Sequence, residues 1–217
     1  MTSLNYLILA LILVLSLSGC SKKGLTLKIG DEDVLALGSI EACNFVQNSQ
    51  GVRVSWKSST PINFLINANI PTKYDATINH AASIWNTYLN KNLIRVYRDN
   101  SITNNAGDDK YNIIYFFNTW PADQSMEQAR TIIRWDLSKL RDADIKVNAA
   151  NFSFYIDGES GIDGQISLLS LMVHEMGHAV GLKHISDGAS VMQTHLASNT
   201  ERAIPTPTDL DSLGCEY

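Results

Sequence analysis

His174-Glu175-Met176-Gly177-His178-Ala179-Val180-Gly181-Leu182-Lys183-His184 is the stretch from which the rest of the chain can be read. Residues four apart on an α-helix share one face about one turn apart, so His174 and His178 can offer both imidazoles to a single metal ion. Glu175 is turned away from that pair and is not a ligand. It is left free to act as general base on a water at the metal. Gly181 suits the left-handed conformation that ends a helix, after which the chain turns back and brings His184 as a third ligand from another direction. Three neutral nitrogens leave one tetrahedral position open, which separates a catalytic zinc from a closed structural one. One catalytic Zn²⁺ is therefore the expected cofactor.

The full pattern, HExxHxxGxxH, resembles the signature of the metzincin zinc endopeptidases, in which a methionine turn follows. Ser190-Val191-Met192 resembles that turn, with Met192 eight residues past His184. The resemblance implies that Met192 packs beneath the metal without binding it. It also implies that Glu175 serves peptide-bond hydrolysis and that the partner is a protein or peptide substrate. Among metzincins the chain is most similar to the matrixins, through Trp56 on a leading strand, Trp85 on a long first helix, Ala143-Asp144-Ile145 and an Asp-rich end. It differs from them in having Ile185, not Ser, after the third histidine. No Tyr follows Met192 as it does in astacins. Matrixin catalytic domains also carry a structural zinc built from further histidines, and only His80 and His195 remain for one here. The alternative function is a non-catalytic surface lipoprotein that keeps the fold as a binding module. Glu175 speaks against it, since a zinc scaffold has no use for a base.

The 217 residues are enough for one sizeable domain, and 45% apolar with 18% charged is an ordinary globular composition. A net charge of −5 leaves no basic footprint for nucleic acid, and a monomer is expected. Leu4 to Leu17 is apolar apart from Asn5, Tyr6 and Ser16. It is too short for a membrane span of ~20 residues and has the length of a signal-peptide core. Leu17-Ser18-Gly19-Cys20 resembles the lipobox of bacterial lipoproteins, which implies lipid on Cys20 and a membrane partner through that lipid. A plain secretory signal or an uncleaved anchor is the other reading. Both export the domain, and Ser21 resembles the pattern sorted to the outer membrane of a Gram-negative cell. Residues 1–19 are thus expected as signal, 20–39 as tether and 40–217 as the catalytic domain. In an oxidising compartment Cys43 and Cys215 either pair, clasping the ends of the domain, or remain as two buried thiols. Cys43 does not resemble the cysteine that caps zinc in matrix-metalloprotease zymogens.

The expected fold class is α+β: a mixed twisted sheet of about five strands, a long first helix, a central zinc-binding helix and a C-terminal helix. Val52–Trp56 and Ile62–Ile66 read as one bent strand or two short ones, and Leu93–Tyr97 as another. Ile78, Ala81, Ala82, Trp85 and Leu89 recur at helical spacing and predict a helix over Lys73–Asn90, with His80 exposed or satisfied beside the stripe. Tyr111–Phe117 is apolar throughout, as a strand covered on both faces would be. In Ala129–Trp135, Arg130, Thr131 and Arg134 interrupt an apolar run containing Ile132 and Ile133, which suits an exposed edge. That strand also occupies the place of the substrate-pairing strand of metzincins. Phe152–Ile156 leads to the turn 157–164, where Asp157, Glu159 and Asp163 could hold Ca²⁺ or simply be solvated. The zinc helix is expected from about Gln165. Thr208 is the expected N-cap of the last helix.

Overall fold

The computed structural model describes residues 43–102 and 107–217, together with the backbone pairing of Lys28–Ile29 (β1) and Glu32–Asp33 (β2). The chain divides into the units Met1–Ile40 and Glu41–Tyr217. The signal segment, Cys20 and the tether residues other than these two short strands lie outside the described residues.

The larger unit is α+β. Its sheet comprises Ile62–Ile66 (β3), Ile94–Arg98 (β4), Asn112–Phe117 (β5), Ala129–Asp136 (β6) and Lys139–Asn148 (β7) in the order β4-β3-β5-β7-β6. The first four in that order run parallel, and β6 returns antiparallel to β7 with a register shift at Arg134/Trp135. Burial follows position. In β5, flanked on both sides, Asn112 to Phe116 are all buried, whereas edge strand β4 alternates between inward Ile94 and outward Arg95. The other edge is β6, which among the described residues pairs only with β7.

Asp75–Tyr88 (α1) and Leu168–Ala179 (α2) pack on one another, α1 beside β4 and α2 across β6 and β7. Ile78, Ala81, Ala82 and Trp85 form the inward stripe of α1. The indole of Trp85 donates to the Val173 carbonyl at 3.0 Å, joining core packing to the backbone of α2. A single apolar core runs from Phe45 to Leu213 around these elements.

Most expected strand and helix ends shift by only one or two residues, and four differences have a structural cause. Val52–Trp56 is not a strand: Arg53 and Ser55 make isolated bridges to Gln47 and Lys139, and Val52 is exposed. A 3₁₀ turn, Thr72–Tyr74, precedes α1, whose start moves to Asp75. Ile166–Ser167 (β9) pairs in parallel with Phe154–Tyr155 (β8), so α2 starts at Leu168, with the Ser167 hydroxyl accepting from the Ser170 amide at 3.2 Å. The final helix, Pro207–Leu213 (α3), is capped by Thr206 and not Thr208. Proline fits the first helical position because its φ is already helical and it lacks the amide that would go unbonded there. Asp209 completes a reciprocal capping box with Thr206, and Thr208 lies inside the helix.

Cys43 and Cys215 are joined in a disulfide that ties the segment entering the domain to the end of α3. His80 is exposed and faces Asp157. Glu159 accepts from the Ile156 amide, while Asp163 lies beside Asn199. The three acids of the expected calcium turn therefore form no shared cluster among the described residues.

Candidate zinc centre and active-site recess

The helix α2 ends as Gly181 predicts. Gly181 has φ +108°, its amide donates to His178 O at 2.9 Å, and the Leu182 amide reaches back to Gly177 O at 3.0 Å. A Cβ on Gly181 would meet the Val54 carbonyl at 2.6 Å, so the turn and its packing both require glycine. Two further carbonyls of the last turn are satisfied from afar: Ala179 O by the Trp56 indole at 2.8 Å, and Val180 O by the Tyr217 hydroxyl at 2.7 Å.

The reversed chain then passes between two supports. On one side the Asn44 carboxamide donates to Lys183 O at 2.6 Å and His184 O at 3.3 Å, one residue from the disulfide. On the other the Ile185 amide donates to Met192 O at 3.0 Å. His184 is thereby delivered to the face of α2 carrying His174 and His178. The Nε2 of His178 lies 3.0 Å from the Nε2 atoms of both other rings.

The far ring nitrogens explain what those Nε2 atoms are. Nδ1 of His174 lies 2.7 Å from Val191 O, and Nδ1 of His178 lies 2.8 Å from Leu182 O. A carbonyl can only accept, so the proton sits on Nδ1 and the Nε2 lone pair points inward. Burial pushes the pKa of both rings down to about 4, which keeps them neutral at ordinary pH, and it lowers His184 as well. The inward lone pairs of His174 and His178, only 3.0 Å apart with no proton between them, repel unless a cation lies there, and His184 Nε2 is equally close to His178. Their spacing is near the ~3.3 Å separation of nitrogens ~2.0–2.1 Å from a tetrahedral ion. This donor set fits Zn²⁺, and it is the only such cluster among the described residues.

Met192 lies beneath, fully buried. Its sulfur occupies the space a side chain on Gly177 would take, since a Cβ there would sit 2.3 Å from Met192 Sδ. The turn around it is fixed by Asp209, whose buried carboxylate accepts from the Ser190 hydroxyl, the Val191 amide at 3.2 Å and the Thr206 amide at 2.8 Å. A run of bonds therefore leads from α3 through the methionine turn to the Nδ1 of His174.

Glu175 points to the other side, into a recess of about 590 Å³ that also exposes the histidines and edge strand β6. It is almost wholly buried, and burial raises its pKa; the nearby His178 and the Thr131 hydroxyl, 2.6 Å from Oε2, work the other way. Of the five β6 residues singled out in the sequence, Arg130, Thr131 and Ile133 line this recess. Ile132 and Arg134 do not: Arg134 instead pairs with the buried carboxylates of Asp142 and Asp144. The direct bond from Thr131 to Glu175 was not legible, although a hydroxyl within an apolar run was its trace. Nothing local pointed to Asn44, the buried role of Asp209, or Arg202 in the wall of the recess.

No curated protein matches the chain. The family model for Matrixin matches residues 54–215, from the core residue Val54 to the disulfide cysteine after α3. The match spans well over half of the chain and takes in the sheet, the histidine triad and the methionine turn, and the chain thus belongs to the matrixin family, the zinc metalloproteases.

Proposed function

We propose that this chain is a zinc-dependent endopeptidase that cleaves extended protein segments, with His174, His178 and His184 holding one catalytic zinc and Glu175 as the general base. The observation that carries this reading is the meeting, in one recess, of three converging histidine nitrogens, a buried carboxylate and a strand edge with an open side. A zinc ion held there would supply Lewis acidity, polarising a carbonyl and acidifying water. The residues do the rest. The free edge of β6 offers backbone donors and acceptors to an extended peptide, which places the scissile carbonyl beside the triad. Glu175 takes the proton of the attacking water on its carboxylate and passes it to the leaving amine. The Thr131 hydroxyl holds that carboxylate in one orientation. Burial raises its basicity as well.

A module that only binds would not need a desolvated carboxylate next to its metal ligands. Glu175→Ala should abolish hydrolysis of an unstructured protein such as casein, a loss of about 10²–10⁴ or more for a general base, while zinc stays bound at one per chain. Full turnover by that variant would overturn the mechanism. We further propose, from the apolar run ending at Leu17-Ser18-Gly19-Cys20, that the domain is exported and held to the cell envelope by lipid on Cys20. A Cys20→Ala chain that fractionates and migrates like the wild type would count against this.

A further inference from the structure

The recess beside the triad carries charge that the hydrolytic mechanism does not use. Its acids are Glu127 and Glu175, and its arginines are Arg130 and Arg202. Arg130 is paired with Glu127, and Glu175 is bonded to Thr131. Arg202 has no carboxylate within ion-pair distance among the described residues. Its guanidinium is pinned by neutral acceptors only: Gln193 Oε1 at 3.1 Å, His195 O at 3.0 Å and Gln193 O at 2.9 Å. Its Nε is buried without a partner. These contacts occupy three of the five guanidinium hydrogens, so the head is held rigidly with donors left over.

The surroundings say what it is held for. Gln193 directly follows Met192, and Arg202's own amide donates to Ser170 Oγ on α2 at 2.7 Å, so the cation is braced between the methionine turn and the zinc helix. Leu171 and Leu196 supply apolar wall to the same recess. The buried carboxylate of Asp209 acts on this cation only from beyond contact distance, so a partly desolvated guanidinium is left without a direct ionic partner, and a carboxylate brought by a ligand supplies one. Because the head is already fixed, little ordering is lost when the ligand arrives.

We propose that Arg202 is a specificity-determining residue of this site, selecting substrates with a glutamate or aspartate at one position adjoining the cleaved bond, the aliphatic stem against Leu171 and Leu196 and the carboxylate on the guanidinium. This rests on the peptidase reading for the cleavage but not for the binding, and the experiment separates the two.

Peptides identical except for Glu, Leu or Lys at each central position in turn are titrated by fluorescence anisotropy against the zinc-loaded Glu175→Ala chain. The same set is offered to the zinc-loaded wild type and the cut products are mapped. Glu should be preferred over Lys by about tenfold at one position, the ratio that about 1.4 kcal/mol corresponds to, and the preference should shrink with added salt. Arg202→Met should move the preference at that position to Leu, while Arg202→Lys should keep part of the preference for Glu. Circular dichroism and zinc content establish that each variant is folded and loaded. No preference for Glu in binding, or one that survives in folded Arg202→Met, overturns the proposal. Selective binding with no cleavage by the wild type supports Arg202 and overturns hydrolysis instead. Cleavage that favours Leu at every position overturns Arg202 alone.

Discussion

Replacing Gly177 by Ala tests whether the methionine turn sets the zinc site by packing. The new Cβ would lie 2.3 Å from Met192 Sδ and 3.3 Å from Trp85 Cζ2. Against the ~3.5–4.0 Å of an unstrained contact, the sulfur must retreat by roughly 1.2–1.7 Å. Met192 is fully buried, so it has no open space to enter. Overpacking of this kind costs about 1–3 kcal/mol, offset by about 1 kcal/mol because Ala is the better helix former. The net change in stability is then small, roughly 0–2 kcal/mol. The site should register the strain more clearly, because moving Met192 moves Val191, whose carbonyl orients His174. Loss of such an orienting bond typically weakens metal binding about 10–100-fold. Met192→Ala alone should destabilise by about 2–5 kcal/mol through its cavity. Combined with Gly177→Ala, however, the clash is gone, and the double variant should be more stable than the sum of the single effects by about 1–3 kcal/mol. Urea denaturation of all four proteins at saturating zinc, with chelator competition for affinity, measures both arms. Additivity to within about 0.5 kcal/mol, or an unchanged zinc affinity in Gly177→Ala, would refute the packing account.

Two more outcomes are expected. The disulfide closes a loop of 172 residues, worth about 5 kcal/mol in the chain-entropy model and about 2–5 kcal/mol in small secreted domains. Cys43→Ser with Cys215→Ser should lower the free energy of unfolding by an amount in that range and also weaken zinc binding, because Asn44 is anchored beside the bond and carries the backbone of His184; unchanged zinc affinity would show that the anchor is unnecessary. Burial raises the Asp144 carboxyl to about 7, against ~3.9 when unfolded, so the fold binds this proton more tightly. Its stabilising contribution is full below about pH 4 and is lost as pH rises to about 7. Asp144→Asn cannot ionise and should gain on the wild type over that interval in urea midpoints at fixed zinc; a constant gap, or one that narrows in the other sense, would contradict the assignment.

What the sequence disclosed about this protein and what it withheld divide along contact range. The zinc ligands, the base and the stopping glycine are set by spacing within one helix and the turn after it, so eleven consecutive residues, 174–184, suffice to read them. Strand β5 was legible for a similar reason, since a run without polar interruption requires cover on both faces. The start of α2 was misplaced because Ile166-Ser167 is apolar enough to continue the helix, and only the pairing with Phe154-Tyr155 pulls it into a strand. The expectation of Thr208 as the cap overlooks Pro207, whose fit to the first helical position puts the cap one residue before it, at Thr206. The larger omission lies in the supports. His178 takes its carbonyl from the loop that its own helix enters, His174 takes one from the methionine turn held by Asp209, and His184 depends on Asn44, 140 residues away. No periodicity carries such information. A motif of this kind states which atoms meet the metal, while the surrounding 43–46, 190–193 and 206–209 segments decide how firmly they do so. Variants outside the motif should therefore tune zinc affinity by degrees, whereas those within it remove ligands outright.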